Sequence, residues 1–416
     1  MGEQERTGTS SAATNGAGAW LAVLQLVFTL GWVTYVIYLP KLAADAGIAP
    51  VVVIYILMLD QAIFTITDTL MGVMADKVSA VVGRLGLIVG IITAISCACF
   101  IALPFVAGAG PKAQVALLVL IVIWSATSSA LRAPPLALLG KYAARPSRPM
   151  LASLAMLGYG VAGAVAPYMA TSLRGVDPRV PFIIAGVTLL LVTLTLSRIE
   201  RGLVQVSARE KPAMPAQGKA LGRTPLLFIT AMLILALGFQ LHVSINSVPF
   251  FRRFAEPVAL QWLLPVFWIG FNIAMFPAGV VVKRIGAITV LGASALVGAV
   301  AVFAAELAPN LEMLIAAQFV AGAAWGCVMM NAVTSAMAIG ETGAEGKVVG
   351  LVFSALALAT FARMGAVAGG LPAIPDYAAL LGWLPVVCWT IAGAILLMLG
   401  MQYQPYSSSP ARRNSI

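Results

Sequence analysis

Apolar positions in this chain are grouped into long blocks separated by short polar segments. Each block has roughly 18–25 residues, the length that crosses a ~30 Å hydrocarbon core. A backbone in lipid must satisfy its own hydrogen bonds, and the blocks lack the alternation of barrel strands, so each block predicts a helix. The twelve predicted spans are 18–40, 50–75, 82–107, 113–138, 149–173, 179–197, 225–250, 258–282, 286–306, 311–338, 347–370 and 377–400.

Composition supports lipid as the solvent of this chain. Hydrophobic residues make up 61% of the 416 residues and charged residues only 10%, whereas soluble domains are about 25% charged. The sequence therefore predicts an all-α membrane protein embedded in a lipid bilayer.

The net charge of +10 reflects how the basic residues are distributed across the membrane, and this distribution indicates the topology. If the N-terminus lies inside, 17 of the 25 Lys and Arg residues fall on the inner side, which is the positive-inside bias of membrane proteins. We therefore expect both termini in the cytoplasm, a multi-pass protein of the cell (inner) membrane, and no nucleic-acid partner. The first apolar block is too long for the core of a cleavable signal peptide.

The longest interior polar segment, 198–224, divides the spans six and six. We predict an N-terminal bundle at 18–197, a cytoplasmic linker at 198–224 and a C-terminal bundle at 225–400. The polar ends, 1–17 and 401–416, are predicted to be disordered tails.

A short motif occurs in both halves. Gly72 is followed by Asp76 and Lys77 after the second span, and Gly279 is followed by Lys283-Arg284 after the eighth, 207 residues later. This pattern resembles the signature of the major facilitator superfamily. The resemblance implies twelve transmembrane helices in two pseudo-symmetric six-helix bundles, with a substrate site between the halves that opens alternately to each side.

A narrower resemblance rests on the loop after the second span and on the fourth span. Asp68 precedes Gly72 by four residues, the gap from Asp76 to Gly83-Arg84 is long, and Pro134-Pro135 lies in the fourth span. These features are similar to the glycoside-pentoside-hexuronide cation symporters.

The chain also departs from that family's pattern. Thr69 stands where the family usually has Pro, and Phe64 stands where sodium-coupled members carry a second carboxylate. Arg132 occupies a position where sugar-binding members can carry Asp, which favours an anionic group over a sugar hydroxyl.

Ionisable side chains inside a span are costly and are functional candidates by default. The chain has five such candidates: Asp60, Asp68, Arg132, His242 and Arg363. Because the resemblance implies that helices 2 and 11 face each other, we predict that Asp60 and Arg363 approach or pair in one conformation. A static pair that holds the bundles together is the alternative.

We group the remaining site predictions by role. Asp68 is expected to join Asp76, Lys77 and Arg84 in a gating network, and Asp60 and Arg363 are the other coupling or gating residues. The resemblance implies a cavity lined by helices 1, 4, 7 and 10. The predicted substrate-binding residues are therefore Tyr35, Arg132, His242 and Asn331, with packing or a gating role for Arg132 as alternatives.

Several signals are rejected. The glycines from Gly158 to Gly163 spell a dinucleotide motif, but they lie inside a predicted helix rather than between a strand and a helix. The four cysteines lie in spans and the chain has one histidine, so we expect no metal site, no cofactor and no enzyme activity.

These observations predict a secondary active transporter that moves a small polar solute by alternating access as a monomer, by proton-coupled symport. Arg132 and Arg363 favour an organic anion, and a sugar-like solute is the other option. The alternative function is a proton-driven exporter of drugs, metabolites or lysolipids.

Overall fold

The structure is a computed structural model that describes residues 3–78, 84–142, 147–207, 222–340 and 343–402. Within these ranges the side chains of 3–15 and 204–207 are not described. Residues 3–17, predicted as part of a disordered tail, are helical and continue into the first span, and residues 198–207 of the predicted linker are helical as well. Residues 1–2, 208–221 and 403–416 lie outside the described residues, and the predictions for them stay predictions.

Twelve helices are long and apolar enough to cross a membrane, and the described residues contain no strand. The predicted all-α architecture with twelve spans is confirmed. The helices are α1 Gly16–Asp45, α2 Val52–Val78, α3 Arg84–Ala107, α4 Pro111–Tyr142, α5 Arg148–Ser172, α6 Arg179–Leu203, α7 Arg223–Arg252, α8 Pro257–Ile285, α9 Ala287–Glu306, α10 Leu311–Ile339, α11 Glu345–Ala368 and α12 Pro375–Gln402.

Two of these helices are irregular near functional candidates. In α4 a 3₁₀ turn, Ser129–Leu131, precedes Arg132, and the helix resumes at Ala133. Pro134 and Pro135 follow and lack the N–H groups that would continue the ladder. In α7 a π-helical turn, His242–Asn246, lies just before Pro249 and relieves the clash that its ring would make with a regular helix.

The helices form two groups, α1–α6 and α7–α12, which meet mainly through α2 against α11 and α5 against α8. An even number of spans puts both chain ends on one side of the molecule, which we name the termini side. The end of α2 at Val78 and the start of α11 at Glu345 lie on that side.

The glycines of the rejected dinucleotide motif serve close helix packing. A Cβ at Gly158 would lie 2.0 Å from the carbonyl oxygen of Ala22 in α1. A Cβ at Gly163 would meet the ring of Trp268 in α8 at 2.5 Å. Small residues let membrane helices approach in this way.

Candidate functional site

A cavity of about 440 Å³ lies between the two halves. Its walls come from α1, α2, α4 and α5 on one side and from α7, α10 and α11 on the other. This volume is in the range of small-molecule sites. The cavity lies beyond Phe64 and Phe353 as seen from the termini side, because the lining residues of α2 run from Ile54 to Phe64.

Arg132 enters the cavity from the break in α4. Its guanidinium carbon lies 5.0 Å from the ring centre of Phe64 and 5.1 Å from that of Phe353, so one ring from each half covers it. Such cation–π contacts contribute about 0.5–2 kcal/mol each, depending on solvation. The arginine therefore sits where the two halves meet at the floor of the cavity.

Asp68 is the counter-ion of Arg132. Its Oδ2 lies 2.7 Å from Nη1 of Arg132, and its side chain is fully buried. The Nη1–H groups of Arg132 are not aligned with Oδ2 of Asp68, so the contact is an ion pair rather than a well-aligned hydrogen bond. The carboxylate neutralises Arg132 from behind the cavity wall.

Arg363 lines the same cavity at another level. It lies ten residues beyond Phe353 on α11, or about 15 Å along the helix axis. Its buried Nε has no hydrogen-bond partner, and Arg363 makes no ion pair within the part of the chain that the structure describes. None of the described residues that line the cavity is Asp or Glu. Arg363 therefore leaves the cavity with uncompensated positive charge.

The predicted pair of Asp60 and Arg363 is not formed in this structure. Asp60 is fully buried and accepts hydrogen bonds from the hydroxyls of Tyr35 at 2.8 Å and Ser125 at 2.6 Å. Both donors belong to the same half as Asp60. An approach to Arg363 in another conformation stays a prediction.

On the termini side, α2 and α11 are closed against each other. The carboxylate of Asp76 accepts the N–H groups of Gly346 at 2.7 Å and Lys347 at 2.8 Å. These are first-turn amides of α11, so Asp76 caps the helix of the opposite half. We name this contact the Asp76 cap.

Backbone contact reinforces the closure around the Asp76 cap. A Cβ at Gly72 would lie 2.1 Å from the carbonyl oxygen of Gly346, and a Cβ at Gly350 would lie 2.5 Å from that of Asp68. The hydroxyls of Thr69 and Ser354 are 2.7 Å apart across the same contact. The cavity is therefore separated from the termini side in this conformation.

Lys77 and Arg84, the other predicted gating residues, are exposed to solvent. Lys77 follows Asp76 at the end of α2, and Arg84 begins α3. The motif of the second half differs from the first. A Cβ at Gly279 would meet nothing within 4 Å, and Lys283 is exposed.

Among the predicted substrate-binding residues, Arg132 lines the cavity and the other three lie outside its wall. Tyr35 is turned to Asp60, and the Asn331 side-chain amide donates to the Cys327 carbonyl in its own helix. His242 is fully buried, with Nε2 3.0 Å from Oε1 of Gln318. Binding roles for these three stay predictions.

Sequence reasoning missed much of the apolar wall. Phe239, Trp325 and Phe353 line the cavity, together with Gln61 and Thr360. An aromatic residue in a span is ordinarily a packing residue, so type alone does not mark it. The repeat could have identified Phe239, because Phe239 lies 207 residues after Trp32, which also lines the cavity.

Comparison with solved structures shows where this architecture occurs. The fold resembles the E. coli fucose:proton symporter FucP (TM-score 0.63, 14% identity, 93% of this chain and 98% of that chain covered). It also resembles a bacterial homologue of the iron transporter ferroportin in an outward-facing state (0.70, 12%, 92% and 99%). A third neighbour is the human organic anion transporter MFSD10, or TETRAN (0.62, 12%, 97% and 100%). At such identities the likeness shows the fold alone.

Comparison of sequences gives the family. No curated protein matches the chain. The family model described as Major Facilitator Superfamily matches residues 21–256, more than half of the chain. Together with the twelve spans and the cavity between two halves, this match establishes that the chain is a multi-pass membrane transporter, not an enzyme, and belongs to the Major Facilitator Superfamily.

Proposed function

We propose that this protein is a secondary active transporter of a small organic anion. The observation that supports this most directly is Arg363, a cavity-lining arginine without a carboxylate partner in the described structure. A guanidinium in a site of low dielectric is stabilised by a bound anion. Arg132 is already neutralised by Asp68, so Arg363 holds the charged group of the substrate.

The cavity also favours an anion with an apolar body. Its lining includes seven aromatic side chains, and its polar groups are few: Gln25, Thr29, Gln61, Gln240 and Thr360, beside the arginines. A small inorganic anion would leave this apolar surface uncovered. The expected substrate therefore combines one acidic group with an apolar part.

We further propose that protons move with the anion. Asp60 is a fully buried carboxyl held by two hydroxyls, with no cation in ion-pair distance among the described residues. Intramembrane carboxyls of this kind serve proton relays in transporters. A proton carried on Asp60 and an anion beside Arg363 would cross together, which is symport.

A thermal-stability screen of the purified protein tests the anion site. Carboxylates should raise the melting temperature, because a ligand that binds only the folded state stabilises it. The shift should be lost in Arg363→Gln and partly restored in Arg363→Lys. Arg284→Gln, at the exposed end of α8, is the control and should keep the wild-type shift.

Two results of the same screen would contradict the proposed anion site. Stabilisation by lipophilic cations or lysolipids, with none by carboxylates, would contradict the proposal and favour an exporter of such compounds. A carboxylate shift that survives Arg363→Gln unchanged would show that Arg363 does not hold the anion.

A further inference from the structure

Each half of the transporter presents a stacked aromatic pair to the cavity. In the first half the Trp32 ring stacks on Trp124, with centres 5.6 Å apart and planes 15° apart. In the second half the Phe239 ring stacks on Trp325, with centres 4.1 Å apart and planes 7° apart. Trp32 and Phe239 both line the cavity; Trp325 lines it beside Phe239, whereas Trp124 supports Trp32 from behind the wall.

The two arrangements correspond through the repeat. Trp32 and Phe239 are 207 residues apart, the same separation as Gly72 and Gly279. Trp32 lies on α1 and Phe239 on α7, the first helix of each half. Their supporting tryptophans lie on α4 and α10, the fourth helix of each half. One local arrangement is therefore present twice, facing the cavity from both halves.

Both rings lie on the cavity wall, unlike core aromatics such as Phe182. Trp32 is half-buried, whereas Phe239 is 4% exposed and also packs within the hydrophobic core. The tryptophan stacked nearly parallel to each lining ring holds that ring in one orientation. Flat rings favour offset-stacked or edge-to-face contact with another aromatic ring.

We propose that Trp32 and Phe239 bind a flat conjugated ring, so that the substrate is an aromatic carboxylate. This inference rests on the proposed function, because Arg363 supplies the contact to the acidic group. The seven cavity-lining aromatics provide the remaining apolar surface. Trp32 and Phe239 are then specificity-determining residues that separate aromatic acids from saturated ones.

Binding of a matched ligand pair to the purified full-length protein tests this inference. The probes are 2-naphthoate and its saturated analogue decahydro-2-naphthoate, which carry the same charge on similar carbon skeletons. Wild-type protein should bind 2-naphthoate more tightly. Phe239→Leu should weaken 2-naphthoate binding about 2- to 12-fold, the range expected for loss of one aromatic contact, and leave the saturated acid nearly unchanged.

Two controls accompany the comparison. Phe303→Leu removes a ring that contacts Trp383 outside the cavity and should change neither affinity. Phe239→Tyr should restore the preference for the aromatic acid. The wild-type comparison of the two ligands needs no variant, so the inference stays testable if Phe239→Leu does not fold.

The outcomes separate this inference from the proposed function. Equal affinity for the two acids, or tighter binding of a hexuronate than of 2-naphthoate, would overturn the aromatic site and keep the anion transporter. Tight binding of 2-naphthylmethanol without any carboxylate binding would overturn the anion proposal and support the aromatic site. Binding of none of these probes would overturn both.

Discussion

The Asp76 cap should control how often the termini side opens. Both carboxylate oxygens accept α11 amides, at 2.7 and 2.8 Å. Asp76→Asn keeps one acceptor oxygen but loses the charge and one bond. A hydrogen bond to a charged group contributes about 1.5–3 kcal/mol, and the interaction with the helix dipole adds about 0.3–1 kcal/mol. The glycine contacts beneath the cap stay intact, so the folded half-bundles should survive.

The expected shift is therefore about 2–4 kcal/mol toward the state in which α2 and α11 separate. This corresponds to a roughly 30- to 850-fold rise in the open population while that population stays small. Ser354→Cys provides the reporter, because Ser354 is 7% exposed and contacts Thr69 across the closed interface. Its labelling rate with a membrane-impermeant thiol reagent should rise by that factor when Asp76→Asn is added.

The comparison needs two controls. The native cysteines Cys97, Cys99, Cys327 and Cys388 are replaced by Ser or Ala in every protein compared. Asp45→Asn removes a carboxylate of an exposed ion pair with Lys41 and should leave labelling unchanged. An Asp76→Asn protein that is folded but labels at the parent rate would refute the idea that the cap holds the two halves together.

Two further predictions concern Gly72 at the closure and Asp60 in the first half. Gly72→Ala places a Cβ 2.1 Å from the Gly346 carbonyl oxygen and should raise the labelling rate of Ser354→Cys. Gly279→Ala meets open space and should leave that rate unchanged, so similar labelling of both variants would contradict the close-contact argument. Asp60→Asn should abolish accumulation driven by a pH gradient in proteoliposomes but keep exchange of labelled for unlabelled substrate, and retained proton-driven accumulation would exclude Asp60 as the proton carrier.

The sequence predicted the helices well because one strong physical constraint fixes them. Each crossing needs a long apolar block with internally satisfied hydrogen bonds, and that signal is local. The charged candidates were found for a related reason, since a charge inside an apolar block is costly. Arg132 and Arg363 both line the cavity, and Asp68 is fully buried.

Partner choice could not be predicted, because it depends on helix rotation and on breaks in the helices. Asp60 is bound by Tyr35 and Ser125 rather than by Arg363. Tyr35 was predicted to contact substrate, yet its hydroxyl is used inside the first half. Arg132, the partner of Asp68, directly follows a 3₁₀ turn in α4, and helical periodicity does not predict such a break.

The two repeats agree at the cavity and differ at the termini side. Trp32 and Phe239 occupy equivalent positions with similar support, whereas the position equivalent to Asp76 is Lys283, 207 residues later. A lysine cannot accept amide hydrogens, and its charge is unfavourable at a helix N-terminus. The carboxylate cap on the first-turn amides of the opposite half is therefore formed by α2 on α11, and Lys283 cannot form its counterpart.

The helix that carries the cap, α2, also carries the counter-ion of Arg132. Asp68 lies eight residues before Asp76 on α2, about 12 Å along the axis, and pairs with Arg132 at the cavity floor. The Asp68–Arg132 ion pair links α2 to α4 within the first half. Because α2 also carries the Asp76 cap, we expect loss of this ion pair to weaken the capped contact between the described halves as well.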